Sequence, residues 1–217
     1  MNIALIGASG FVGTAIAKEA LNRGHQVTAV VRNPEKVTFH HEHLTIEKTD
    51  ILNQQELIKA IKGKDVVISA YNAGWTNPNL YEDFLEGSKA IQAGVKSAGV
   101  KRLITIGGAG SLEVAPGLQI VDTPDFPAAY KAGATSARDY LNVLKEEKEL
   151  DWTFFSPAIE MNQESSGVRK GKYRTSLDTP VFDADHRSIL SVEDLAVVII
   201  DELEKPAHIK QRFTAGY

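Results

Sequence analysis

Short, wholly apolar runs alternate along this chain with stretches whose apolar positions recur every three or four residues. The first run, Ile3-Ala4-Leu5-Ile6, has no polar face, the pattern of a strand buried on both sides. Behind it Val12, Ala15, Ile16, Ala20 and Leu21 mark a helix, and Val27 to Val31 a second strand. The alternation continues with a strand at 43–48, a helix at 54–61, a strand at 65–69 and a long helix over about 81–98 that Gly99 stops. A strand at 102–108 leads into a loop rich in glycine and proline through about residue 127. A helix over about 134–148 and a strand at 151–157 follow. Repeating βα units of this kind specify an α/β fold, a doubly wound parallel sheet with helices on both faces and strand order 3-2-1-4-5-6.

The tail has a different pattern. Residues 159–190 carry Gly167, Gly171, Pro180 and several aspartates among short extended pieces, which suits small hairpins folded over the strand ends as a substrate lid. A helix then starts at the cap Ser191, with Asp194 at its third position, and stops at Pro206. The closing QRFTAGY reads as one more edge strand. With 217 residues, the chain is one large domain, with the 159–190 region inserted before the last helix.

The turn after the first strand carries Gly7, Gly10 and Gly13. Glycines at this spacing let backbone approach a pyrophosphate, and the helix opening near Phe11 aims free amides and the positive end of its dipole at it. Placed between a strand and a helix and followed by a second strand, the triplet is the dinucleotide cradle of a Rossmann βαβ unit. The second strand ends in Arg32, where an NAD site would carry Asp or Glu to accept the ribose 2′-hydroxyl. A guanidinium cannot accept that bond, but its forked donors fit a 2′-phosphate. NADP (NADPH) is therefore expected over NAD, with Ser9 and Lys36 as a further donor and charge.

Net charge is −4, with no long basic run and no basic patch interleaved with aromatics, which argues against nucleic-acid binding. No cysteine is present, which excludes disulfides and thiol catalysis. No apolar run approaches the ~20 residues of a membrane span, and the N-terminus enters a core strand directly, so a cytoplasmic location is expected. The cluster His40, His41, His43 alternates faces of an extended chain and has no second set of ligands, so no metal is expected. Nothing in the sequence sets the oligomeric state.

GASGFVG, VVRNPEK, the TDI at 49–51, GGAGSLEV at 107–114, LDWTFFSPA at 150–158 and the final RFTAGY together resemble the atypical short-chain dehydrogenase/reductases. The resemblance is strongest to the NAD(P)H-binding branch that includes NADH-flavin-reductase-like, NmrA-like and epimerase-like proteins. It runs from residue 2 to the C-terminus and implies that Gly7, Ser9, Gly10, Phe11, Val12 and Gly13 contact the pyrophosphate and Arg32 the adenosine 2′ side. It also implies Asp50 at the adenine amino group and Ile51 against the ring, although Asp50 reads equally as a helix cap. Ala70, Tyr71 and Asn72 would then line the nicotinamide ribose, and Ser156, Pro157 and Ala158 would sit near the nicotinamide.

The chain lacks the Tyr-x-x-x-Lys pair that such dehydrogenases use for proton transfer. Tyr130 is followed directly by Lys131, and adjacent helical residues point about 100° apart. Tyr140 has Leu144 where lysine should stand. The catalytic candidates that remain are Ser111 and Tyr130. Ser111 matches the place of the family's catalytic serine and either bonds a substrate oxygen or satisfies its own loop. Tyr130 is either a proton donor or a packed aromatic, and Trp75 either stacks on a flat substrate or packs on the surface. Two functions fit: an NADPH-dependent reductase acting on a small flat acceptor of flavin or quinone type, which needs no such pair, or a non-catalytic NADP-binding redox sensor of NmrA-like type.

Overall fold

The computed structural model describes residues 1–217. Ten strands and five α-helices follow one another: β1 Asn2–Ile6, α1 Phe11–Asn22, β2 Gln26–Val31, β3 Leu44–Lys48, α2 Gln54–Ile61, β4 Val66–Ser69, α3 Leu80–Ser97 and β5 Arg102–Ile106. After these come β6 Glu113–Ala115, β7 Leu118–Gln119, α4 Ala128–Lys145, β8 Asp151–Ser156, β9 Arg174–Ser176, α5 Val192–Glu204 and β10 Gln211–Gly216. The main sheet has the order β3-β2-β1-β4-β5-β8-β10-β9. Its first six strands are parallel and keep the expected order.

Burial on both faces explains why these strands carry so little polar sequence. Every residue of β4 is buried, and alternate side chains feed two separate cores. Ile3, Leu5, Ile68 and Phe213 pack with α1 and α5 on one face, and Ala4, Ile6, Val67 and Phe154 with α2, α3 and α4 on the other. Burying one such aliphatic or aromatic side chain contributes roughly 1.5–3 kcal/mol, so the sheet fixes the positions of its own strand ends. In a doubly wound sheet those carboxyl ends are where ligands gather.

Three expectations change. The C-terminal strand β10 is not an edge: it runs parallel to β8 and is covered on its other side by the antiparallel β9. Helix α4 opens at Ala128, a turn and a half before the periodicity begins, which places Tyr130 in its first turn. The 159–190 region is not simply a lid across the strand ends, because residues 167–173 form a strap along α5 and α1. The amides of Lys170 and Gly171 donate to the Asp194 carboxylate at 2.9 and 2.7 Å, Arg169 pairs with Glu19 at 2.8 Å, and Tyr173 donates to Asp201 at 2.6 Å. The strap then becomes β9 and closes the sheet edge. The glycine-rich loop also holds a small hairpin, β6 with β7, that the sequence pattern does not announce.

Candidate nucleotide and acceptor site

The turn between β1 and α1 is built around positions that exclude a side chain. Gly7 has φ +79°, and a Cβ there would lie 2.5 Å from the Ala70 carbonyl oxygen. A Cβ on Gly13 would collide with the Gly7 backbone, so helix α1 seats on the turn only with glycine at that position. Gly10 differs: its conformation is ordinary, and a Cβ would meet nothing nearer than the Gly7 carbonyl oxygen at 3.4 Å. The side of Gly10 is therefore open for a ligand. Helix α1 has no side-chain cap and no acidic residue in its first turn. The amides of Phe11, Val12 and Gly13 find no acceptor within the protein, leaving a positive, unsatisfied helix end. This cradle fits a pyrophosphate by shape and by charge, and Ala70 is held beside it by the hydrogen bond that its amide donates to the Ile6 carbonyl at 2.9 Å.

Next to the cradle, Arg32, Lys48, Thr49, Asp50 and Glu56 line a polar cavity of about 360 Å³. Arg32 and Asp50, identified separately in the sequence, thus come together. Of the eight arginines of the chain, Arg32 alone has no hydrogen bond or ion pair to the protein. Asp50 does not cap α2, because that place is taken by Asn53, whose side chain accepts the Glu56 amide at 3.3 Å. Asp50 instead receives the Leu52 amide at 3.0 Å in a tight turn. Ile51 is buried in the core, so only part of it is available to a ring.

The loop after β4 is stiffened by asparagines. Asn72 accepts the Gly74 amide at 2.7 Å, and Asn77 bridges the Ala73 carbonyl and Asp83 at 3.3 and 2.8 Å. Tyr71 turns inward, stacked on Phe84, with its hydroxyl donating to the Asp83 carbonyl at 3.1 Å; burial pushes its phenol above the ordinary value, while the field of Arg32 opposes the rise. Trp75 turns outward, 60 % exposed, and meets Tyr130 edge to face at 5.7 Å. Tyr130 is 56 % exposed. Gly133 of α4 makes room for the indole, since a Cβ there would come within 2.9 Å of Trp75 Cζ3.

Ser111 lies elsewhere. It is 1 % exposed, and its hydroxyl shares a hydrogen bond of 3.0 Å with Ser156, whose side chain is also fully buried. Arg212 donates to the Ser111 carbonyl at 2.8 Å and pairs with Asp178 from the segment after β9. Ser111 therefore serves its own loop here and presents no open hydroxyl to a substrate. Pro157 and Ala158 are buried as well, so none of the three side chains at 156–158 is open to a ligand. Tyr140, the other tyrosine considered for proton transfer, is completely buried, and burial pushes its phenol far above the ordinary value. Lys131 bonds the Val121 carbonyl and lies over Phe126, turned away from the work of a tyrosine partner. The histidine cluster is tied into the turn before β3, where His41 accepts the His43 amide at 3.0 Å.

Sequence reasoning did not single out Lys48, Glu56 or Arg212. Asn53 and Glu56 carry a legible capping signal, N-x-x-E, but Lys48 and Arg212 become informative only through their partners in space.

A glycine cradle at a helix N-terminus, beside a polar cavity at the ends of a parallel sheet, is the arrangement of a dinucleotide-binding protein of the Rossmann class. The sequence pattern of the NAD(P)H-binding family matches residues 7–206, and the chain belongs to that family. It is 37 % identical over 216 residues to the uncharacterised protein YwnB of Bacillus subtilis, covering 99 % of this chain and 97 % of that one. A solved candidate epimerase from Bacteroides thetaiotaomicron superposes with a TM-score of 0.91 at 48 % identity, covering 100 % of this chain and 96 % of that one. A candidate NADH-flavin reductase from Streptococcus pneumoniae superposes with a TM-score of 0.87 at 33 % identity, covering 100 % and 99 %. No helix is long and apolar enough to cross a membrane.

Proposed function

We propose that this protein is an NADPH-dependent reductase that passes a hydride to a small, flat, electron-poor acceptor of flavin or quinone type. The observation that carries the reading is the exposed Trp75–Tyr130 pair beside the β4 and α4 ends, in a site without a tyrosine-lysine acid. Alcohol oxidation and sugar epimerisation need a group that moves the proton of the hydroxyl on the reacting carbon while the carbon exchanges hydride, and no tyrosine-lysine pair is present for it. Reduction of a flavin or quinone needs chiefly a held cofactor, a stacking surface and exclusion of water. Bound NADPH supplies two electrons and one proton as hydride, and the second proton of the reduced acceptor comes from solvent.

Within this reading the chain's residues divide the work. Gly7, Gly10, Gly13 and the α1 amides hold the pyrophosphate, Arg32 holds the 2′-phosphate, and Asp50 receives the adenine amine. Trp75 and Tyr130 offer an apolar face and an edge on which a flat ring stacks. The S. pneumoniae neighbour's description is consistent with this acceptor class. A cytoplasmic location goes with the reading, since NADPH is regenerated there.

Anaerobic NADPH oxidation with flavin and quinone acceptors tests it. Turnover is expected, with Trp75→Ala raising the acceptor KM about tenfold, the loss of one ring-stacking contact of roughly 1–1.5 kcal/mol. Tight NADPH binding without turnover on any acceptor would overturn the enzyme reading in favour of a redox sensor.

A further inference from the structure

Two cations whose side chains have no partner line the same cavity. Lys48 ends β3, in register with Val31 of β2, so it stands one step along the adjacent strand from Arg32. Like that of Arg32, its side chain makes no hydrogen bond and no ion pair with the protein. The two carboxylates that share the cavity are engaged elsewhere. Asp50 accepts the Leu52 amide at 3.0 Å, and Glu56 accepts the Asn53 side chain at 2.9 Å and the Asp50 amide at 3.4 Å. Neither comes within ion-pair distance of Arg32 or Lys48, whereas six of the seven other arginines pair with a carboxylate.

Like charges left unpaired at one cavity repel each other, and a dianion between them removes that cost. The cavity is also polarised, with its basic groups at the strand ends and its acidic groups on the turn into α2. Lys36, the cation that the sequence suggested as a helper, lies in the short 3-10 turn Pro34–Lys36 and does not line the cavity.

We propose that Lys48 is a second specificity-determining residue for the 2′-phosphate, forming with Arg32 a two-strand clamp on the phosphate. This rests on the reading of the cavity as the adenosine 2′-phosphate site. Arg32 supplies the forked donors that set orientation, and Lys48 supplies a point charge on the opposite side. Glu56 holds the Asp50 turn in place, which keeps the acidic end of the cavity off the phosphate.

Calorimetric titration with 2′,5′-ADP and with 5′-AMP isolates this subsite without any turnover. The protein is expected to bind 2′,5′-ADP at least about tenfold more tightly than 5′-AMP, the effect of one charge-assisted contact. Lys48→Gln should lower that ratio about tenfold or abolish it while leaving 5′-AMP affinity unchanged, and Lys48→Arg should restore it. Lys62→Gln, which removes a neighbouring lysine outside the cavity, should leave the ratio intact. A ratio that falls in Arg32→Gln but not in Lys48→Gln overturns the clamp and keeps the NADPH reading. A wild-type ratio near one overturns both, and an equal fall in Lys62→Gln reduces the effect to general surface charge and also overturns the clamp.

Discussion

Gly7 and Gly10 look alike in the sequence and do different work. Gly7 is fixed by the fold, with φ +79° and the Ala70 carbonyl 2.5 Å from where a Cβ would stand. Gly7→Ala should cost about 1–3 kcal/mol in urea unfolding, because the backbone conformation itself is strained by a side chain. Gly10→Ala should leave stability within about 0.5 kcal/mol yet weaken NADPH binding more than tenfold, since its Cβ intrudes only on the ligand. Equal stability losses in the two variants would contradict that division. At this scale the sequence was informative wherever chemistry is local. Glycine spacing and an arginine at a strand end can be read without knowing their neighbours. Ser111 could not be read in that way, because its place opposite Ser156 and Arg212 depends on residues 45 and 101 positions away.

At the level of elements, the strap and helix α5 show how one motif can serve two ends. Ser191 caps α5 by accepting the Asp194 amide at 3.1 Å, as the sequence suggests. The Asp194 carboxylate, however, is fully buried and receives the strap amides of Lys170 and Gly171 together with the Tyr217 hydroxyl at 2.5 Å. Asp194→Ala leaves those donors unpaired, at roughly 1–3 kcal/mol for each one that stays buried. Trypsin cleavage after Arg169 and Lys170 should then accelerate at least about tenfold, a release of roughly 1.4 kcal/mol in local opening. An unchanged cleavage rate would mean that the strap is held by its other contacts, Gly167 to Glu193, Arg169 to Glu19 and Tyr173 to Asp201. The capping pattern was legible because it spans four residues. The strap was not, because its anchor lies more than 20 residues away, across a segment with no periodicity.

For the molecule as a whole, acid stability should depend on the junction between α4 and β8. Burial pushes the Glu147 carboxyl up, but the Glu149 amide at 2.6 Å, Gln92 at 2.7 Å and Lys96 at 3.4 Å pull it down to about 2. The folded value lies below the unfolded value of 4.5, so this contribution is fully present above pH 4.5 and is lost as pH falls toward about 2. Glu147→Gln should lower stability at neutral pH by about 1–2 kcal/mol. Its stability should also vary less than wild type between pH 4.5 and 2, as denaturant unfolding across that window would show. Parallel pH curves for the two proteins would contradict the assignment.

The sequence by itself determined the order of the six parallel strands and the helices between them, their winding and the glycine turn after β1. Each follows from periodicity or backbone freedom within a few residues, and right-handed crossovers leave little choice in how βα units stack. Only the tertiary structure decided that β10 is an interior strand covered by β9, that residues 167–173 bind α5, and that Lys48 stands beside Arg32. These are pairings between segments far apart in the chain. Register and side-chain partnership are set by the packing of the whole sheet, which no local pattern encodes.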